Sequence, residues 1–202
     1  MIPGDRTEEE RAIMLKVVGF ALTKEVEKEH AQQVASLSLI LFDMLSSLHN
    51  MGREERILLE SAAILHDVGK IKGGKSHHKW SRDIILQSES LPFDETSRKI
   101  VAMLARYHRR SLPDETHEDY MQLDEVSRAK VDKLSAILRV ADGLDKSHTN
   151  IVKGLVCSIL DDKVVVRIVA ESFSDLDKIS SQAKSELFEK VFRRKFAIEW
   201  LP

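Results

Sequence analysis

The residues AAILHDVGK, 62–70, put two polar side chains, His66 and Asp67, at the end of an apolar run. Ile57, Leu58, Ala62, Ile64 and Leu65 recur at helical spacing, which predicts a helix from about Glu54 to His66 that stops near Gly69. A hydrated charge is not expected beside a core helix. An ionised carboxylate there needs a partner, and a cation is the simplest one. Asp142 has the same setting, behind Ile137-Leu138 and Val140-Ala141. His30 lies near the start of a long helix whose apolar stripe begins only at Val34.

Outward from this stretch, periodicity predicts a mainly α chain with a small α+β tail. The first helix begins at Thr7, whose hydroxyl caps it while Glu10 reaches back. A second covers about Val26 to Leu48, with Val34, Leu37, Leu41, Met44, Leu45 and Leu48 on one buried stripe, and Asn50-Met51-Gly52 ends it. A Gly- and Lys-rich loop, Gly69 to Lys75, leads to a short helix from about His78 to Ser88. Another helix, about Glu95 to Arg109, carries Ile100, Val101, Leu104 and His108 on one side, and residues 110–122 read as a polar surface loop. The last core helix, about Glu125 to Lys146, places Val131, Leu134, Leu138, Ala141 and Asp145 in register. Two β-branched runs, Val152 to Leu160 and Val164 to Val169, then flank Asp161-Asp162-Lys163 as a hairpin. A helix from about Asp175 to Phe192 and a strand, Lys195 to Trp200, complete a ββαβ order. The expected organisation is a helical domain, 1–148, with a C-terminal subdomain, 149–202, packed on it.

Composition narrows the function classes. Lys plus Arg number 31 against 33 Asp plus Glu, so a formal net charge of -2 argues against coating nucleic acid. The basic stretch from His66 to Arg82 (Lys70, Lys72, Lys75, Lys79, Arg82) contains one acid, Asp67, and attracts small anions instead. Trp80 is its single aromatic, too little for stacking on single strands. Cys157 is the lone cysteine, which excludes an internal disulfide and a multi-thiolate zinc site. The start MIPGDRTEEER lacks the order of a signal peptide, and no apolar run has membrane-spanning length, so a cytoplasmic setting with no membrane is expected.

The residues that carry chemistry are His30, His66, Asp67, His78 (or His77), His108 and Asp142. Imidazole nitrogens and carboxylate oxygens suit divalent first-row metals. Adjacent His66 and Asp67 do not share a helix face, but they can converge where a helix ends. His49, His117 and His148 read as satisfied core or surface histidines.

The order His30, His66-Asp67, Asp142, with HAQQVA, AAILHDVGK and ILRVADGLD around them, resembles the HD superfamily of metal-dependent phosphohydrolases over about residues 25–148. A narrower likeness runs from about residue 10 to the end. HDVGK, SHHKWS, LARYHRRSLP and LSAILRVADGLDKSH, followed by ββαβ, resemble the C-terminal region of the exopolyphosphatase/guanosine pentaphosphate phosphohydrolase family. In that family the recognised phosphatase site lies on actin-like domains for which these 202 residues have no room, so the exopolyphosphatase reaction is not carried over.

The resemblance implies an HD-type helical bundle holding two divalent ions of Mn, Fe, Mg, Co, Ni or Zn, or one ion if His78 and His108 are structural. Asp67 would bridge them; His30, His66 and Asp142 would hold one, and His78 with His108 the other. His77 is the alternative to His78. The implied activity is hydrolysis of a phosphate ester or anhydride of a nucleotide or polyphosphate-like small molecule. Asp67 and Lys70 would serve the chemistry, and Lys70 and Arg109 would hold substrate phosphate. Arg106, Arg110, Lys75 and Lys146 stand behind these as surface cations. The alternatives are a non-catalytic metal-containing module that binds nucleotide or polyphosphate, and a di-iron oxygenase. An exposed sheet edge in the tail is one route to a homodimer.

Overall fold

The computed structural model describes residues 6–73 and 75–201. The MIPGD start, which entered the leader reading, Gly74 of the basic loop and Pro202 lie outside the described residues.

Helix α1 (Glu8–Leu22) starts at the expected capping box: Thr7 Oγ1 accepts the Glu10 N–H at 3.1 Å, and the Glu10 carboxylate accepts the Thr7 N–H at 2.9 Å. The expected second helix is divided at Leu45 into α2 (Lys28–Met44) and α3 (Ser46–His49). Leu45 is fully buried, whereas Met44, expected on the buried stripe, is 38% exposed. Asn50, in the left-handed region at φ 54°, ends α3. His49 locks this corner. Its Nδ1 accepts the Met51 N–H at 2.9 Å, so its Nε2–H donates to the Phe42 carbonyl at 2.7 Å.

Helix α4 (Arg53–Leu65) is buried from Ile57 onward and packs against α1 and α2. Past it the chain tightens into a 3₁₀ turn, Val68–Lys72, where a loop was expected. Helix α5 (His77–Leu86) follows, then α6 (Glu95–Tyr107), capped by Asp94, whose Oδ1 accepts the Ser97 N–H at 2.7 Å. The stretch 110–122, expected as an irregular polar loop, contains a helical turn, α7 (Glu118–Met121). Burial of the Tyr120 ring, with its hydroxyl donating to Asp132 Oδ1 at 2.9 Å, overrides the local polarity. Helix α8 (Glu125–Gly143) is capped by Asp124 and buried from Leu134 to its end.

The tail begins with β1 (Val152–Ile159) paired antiparallel to β2 (Lys163–Ala170). Helices α9 (Asp175–Lys184) and α10 (Glu186–Phe192) replace the single expected helix, the chain turning at Ser185. Strand β3 (Lys195–Trp200) then runs parallel to β2, giving the order β1-β2-β3. Val164 to Val166, on the central strand, are buried as a continuous run. Helices α9 and α10 pack on α8, and β1 lies against α2, where Gln33 Nε2 donates to the Val152 carbonyl at 2.5 Å. The fold is therefore mainly α with a small three-stranded appendage, as expected. Among the described residues no helix is long and apolar enough to cross a membrane.

Candidate metal centre

The centre forms where helix ends meet. His66 keeps helical backbone angles at the close of α4, but Asp67 leaves them (φ -106°, ψ 8°). That change of direction lets neighbouring side chains converge, with His66 Nε2 3.4 Å from Asp67 Oδ2. The first turn of α2 supplies His30, the start of α5 His77, the end of α6 His108, and the last turn of α8 Asp142.

Hydrogen bonds fix which nitrogen each ring offers. His66 Nδ1 donates to the Ala63 carbonyl and His108 Nδ1 to the Ala105 carbonyl, both at 2.7 Å. A carbonyl can only accept, so each neutral ring presents its Nε2 lone pair inward. His30 Nδ1 is held by Asp145 Oδ2 at 2.7 Å, and its Nε2 faces Asp142 Oδ1 at 3.5 Å. The two oxygens of Asp67 look in different directions. Oδ2 faces Nε2 of His66 at 3.4 Å and of His30 at 3.9 Å, whereas Oδ1 faces Nε2 of His77 at 3.1 Å and of His108 at 3.7 Å. Ligand-type atoms of His30, His66 and Asp142, and again of His66, Asp67 and His108, lie within 4.8 Å of one another.

Burial opposes ionisation of Asp67 and Asp142. The nearby imidazoles of His66, His77 and His108 nonetheless hold Asp67 well below the usual carboxylate range, and Lys184, His30, His108 and His66 do so for Asp142. Burial drives His108 well below the usual imidazole range, with His66 acting in the same direction. His30 is the opposite case: burial resists its charging, but bonds to Asp142 and Asp145 push it up to about 9.

A cleft of about 220 Å³ opens over the centre, lined on its basic side by Lys70, Arg109, Arg110, Lys146 and Lys184. Lys70 Nζ lies 2.6 Å from Asp67 Oδ2, and Arg109 Nη1 lies 3.1 Å from His77 Nε2. Among the described residues, buried His66 Nε2 and Asp67 Oδ1 have no hydrogen-bond partner, although Asp67 Oδ1 has His77 close by. Such orphans need a partner. Nitrogen and oxygen donors without a thiolate fit a divalent ion; Cys157 lies half-buried on β1.

Of the sequence-derived set, His30, His66, Asp67, His108 and Asp142 come together, and Lys70 and Arg109 reach the cleft. His78 does not. It is His77 that approaches Asp67, while buried His78 is pushed down to about 4 by burial and by Arg106, its Nδ1 without a partner among the described residues. The physical reason is the α5 register: neighbours on a helix point about 100° apart, so only one of the pair can face the centre. Arg106 is buried and Lys75 exposed, and neither lines the cleft, whereas Arg110 and Lys146 do. Sequence reasoning overlooked three residues. Asp145 was read only as part of a helical stripe. His148, read as a bystander, stacks on His30 with ring centres 3.8 Å apart. Lys184 ion-pairs with Asp142 from the far end of the chain, and nothing in its local sequence signals that.

A family model described as Ppx/GppA phosphatase, domain III, matches residues 15–178. No curated protein matches the chain.

Proposed function

The chain belongs to the Ppx/GppA phosphatase domain III family, and from that premise we propose that it is a metal-dependent phosphohydrolase of the HD type. The observation that supports this best is Asp67, whose two oxygens each face a different pair of imidazole nitrogens. In this reading His30, His66, Asp67 and Asp142 hold one divalent ion, and Asp67, His77 and His108 hold a second. His77 takes the place that the family resemblance gave to His78. When bound, the ions supply an acidified water near neutral pH and neutralise charge on phosphoryl oxygens.

The chain's own residues supply the rest. Asp145 and the Ala63 and Ala105 carbonyls keep each imidazole turned so that Nε2 points inward. Lys70 and Arg109 grip substrate phosphate, the guanidinium as a fork and the ammonium as a point charge. The substrate class is a phosphate ester or anhydride, nucleotide or polyphosphate-like. Residues 149–202 act as a subdomain that closes one wall of the cleft.

Metal analysis of the protein, with turnover of p-nitrophenyl phosphate and a panel of nucleotides and polyphosphate, tests the reading. His66→Ala and Asp67→Ala are expected to lose both metal and turnover, and unchanged metal content in both would sink the proposal. The match to domain III of a phosphatase favours a second reading, a metal-containing module that binds nucleotide or polyphosphate without cleaving it. Metal-loaded protein that binds these anions and turns over none of them supports that alternative.

A further inference from the structure

Helix α9 straddles the end of the family match at residue 178, and its C-terminal part, which carries Lys184, lies beyond it. Lys184, its last residue, ion-pairs with Asp142 Oδ2, while Asp142 Oδ1 faces Nε2 of His30 and His66 at 3.5 and 3.7 Å. Its side chain is 17% exposed and opens onto the cleft. The approach is built into the fold. Gly143, directly after Asp142, lets α9 come so near that a Cβ there would lie 2.5 Å from Ser181 Cα. The Ser147 N–H and hydroxyl both donate to the buried Asp177 carboxylate, at 2.6 and 2.8 Å. Asp177, Ser181 and Lys184 follow one another at four and three residues, so a single face of α9 carries both anchors and the lysine.

We propose that Lys184 is a substrate-binding residue of the centre, gripping a phosphoryl oxygen while it holds Asp142 through Oδ2. The inference rests on the phosphohydrolase reading above. An ammonium has three donors, so an ion pair with one carboxylate oxygen leaves two for a ligand in the cleft. Lys70 stands in the mirror position, its Nζ 2.6 Å from Asp67 Oδ2. Each carboxylate that would repel an incoming phosphate thus carries its own lysine, one from each part of the chain.

The test is calorimetric titration of the full chain, loaded with Mn²⁺, with inorganic pyrophosphate. Lys184→Gln is expected to bind pyrophosphate about tenfold to a hundredfold more weakly and to hold Mn²⁺ no less tightly than the wild type. Lys184→Arg is expected to recover most of the loss. Lys184→Met, which keeps the apolar stem, replaces the Gln variant if that one fails to fold. Wild-type pyrophosphate affinity in the uncharged variant overturns the inference. So does a parallel loss of Mn²⁺ and pyrophosphate, which marks Lys184 as structural. A wild-type chain that holds no Mn²⁺, or binds no pyrophosphate when loaded, overturns the phosphohydrolase reading and this inference with it.

Discussion

Gly69→Ala tests how the 3₁₀ turn is set against α5. A Cβ at Gly69 would lie 2.5 Å from Ser81 N and 2.9 Å from Ser81 Oγ, and inside contact distance of the His77 carbonyl oxygen. The first and last of these atoms are the two ends of a helical i to i+4 pair, so the methyl would intrude on the backbone of α5 itself. Neither backbone atom can swing aside as a side-chain tip would. Overpacking of this kind costs about 1–3 kcal/mol. The Gly69 N–H also donates to Ser81 Oγ at 2.9 Å, both groups buried, and its loss adds about 1 kcal/mol. At about 2–4 °C per kcal/mol for a chain of this size, the melting temperature should fall by roughly 5–15 °C. Ser81→Ala removes the hydrogen bond without adding a methyl, and its fall should be only about 2–4 °C. Circular dichroism melts of the three proteins compare these directly. A Gly69→Ala protein that melts with the wild type, or no lower than Ser81→Ala, would refute the steric argument.

Two further outcomes are expected. His77→Ala should lower the metal content per chain while His78→Ala leaves it unchanged, as read by elemental analysis after identical reconstitution; the reverse result would return the ligand role to His78. Burial holds the His49 imidazole below its ordinary value of about 6.5. Between its folded value and 6.5 the unfolded chain therefore binds more protons than the folded one, so the stability it contributes is complete above about 6.5 and declines as pH falls through the folded value. The gap in melting temperature between wild type and His49→Gln should be widest near pH 7.5 and should narrow toward pH 5, whereas a constant gap would contradict a neutral buried ring.

Much of the helical body was legible because its signals are local. Thr7 and Glu10 form the capping box, and Val131, Leu134, Leu138 and Ala141 are buried as their spacing requires. The tail's strand runs paired in the expected hairpin for the same reason: β-branched residues on either side of Asp161-Asp162-Lys163 leave few other options. Leu45 and Ser185 carry no Gly or Pro punctuation, so the breaks between α2 and α3 and between α9 and α10 could not be read. Those breaks follow from what the helices pack against. Tyr120 is the same lesson on a smaller scale, since a ring buried from 13 polar-looking positions, 110–122, finds its place only against α8.

The pair His66-Asp67 frames the division at the centre. The local pattern shows carboxylates and imidazoles recurring in a fixed order behind apolar runs, where an ionised group is costly without a partner. It could not decide between His77 and His78, since adjacent residues differ only in which way a helix is rotated. The packing of α5 turns His77 toward Asp67, and the fold sets the separate directions of the two Asp67 oxygens. It alone brought in Asp145, His148 and Lys184, for a contact across 42 residues, as between Lys184 and Asp142, depends on packing two helices rather than on any local pattern.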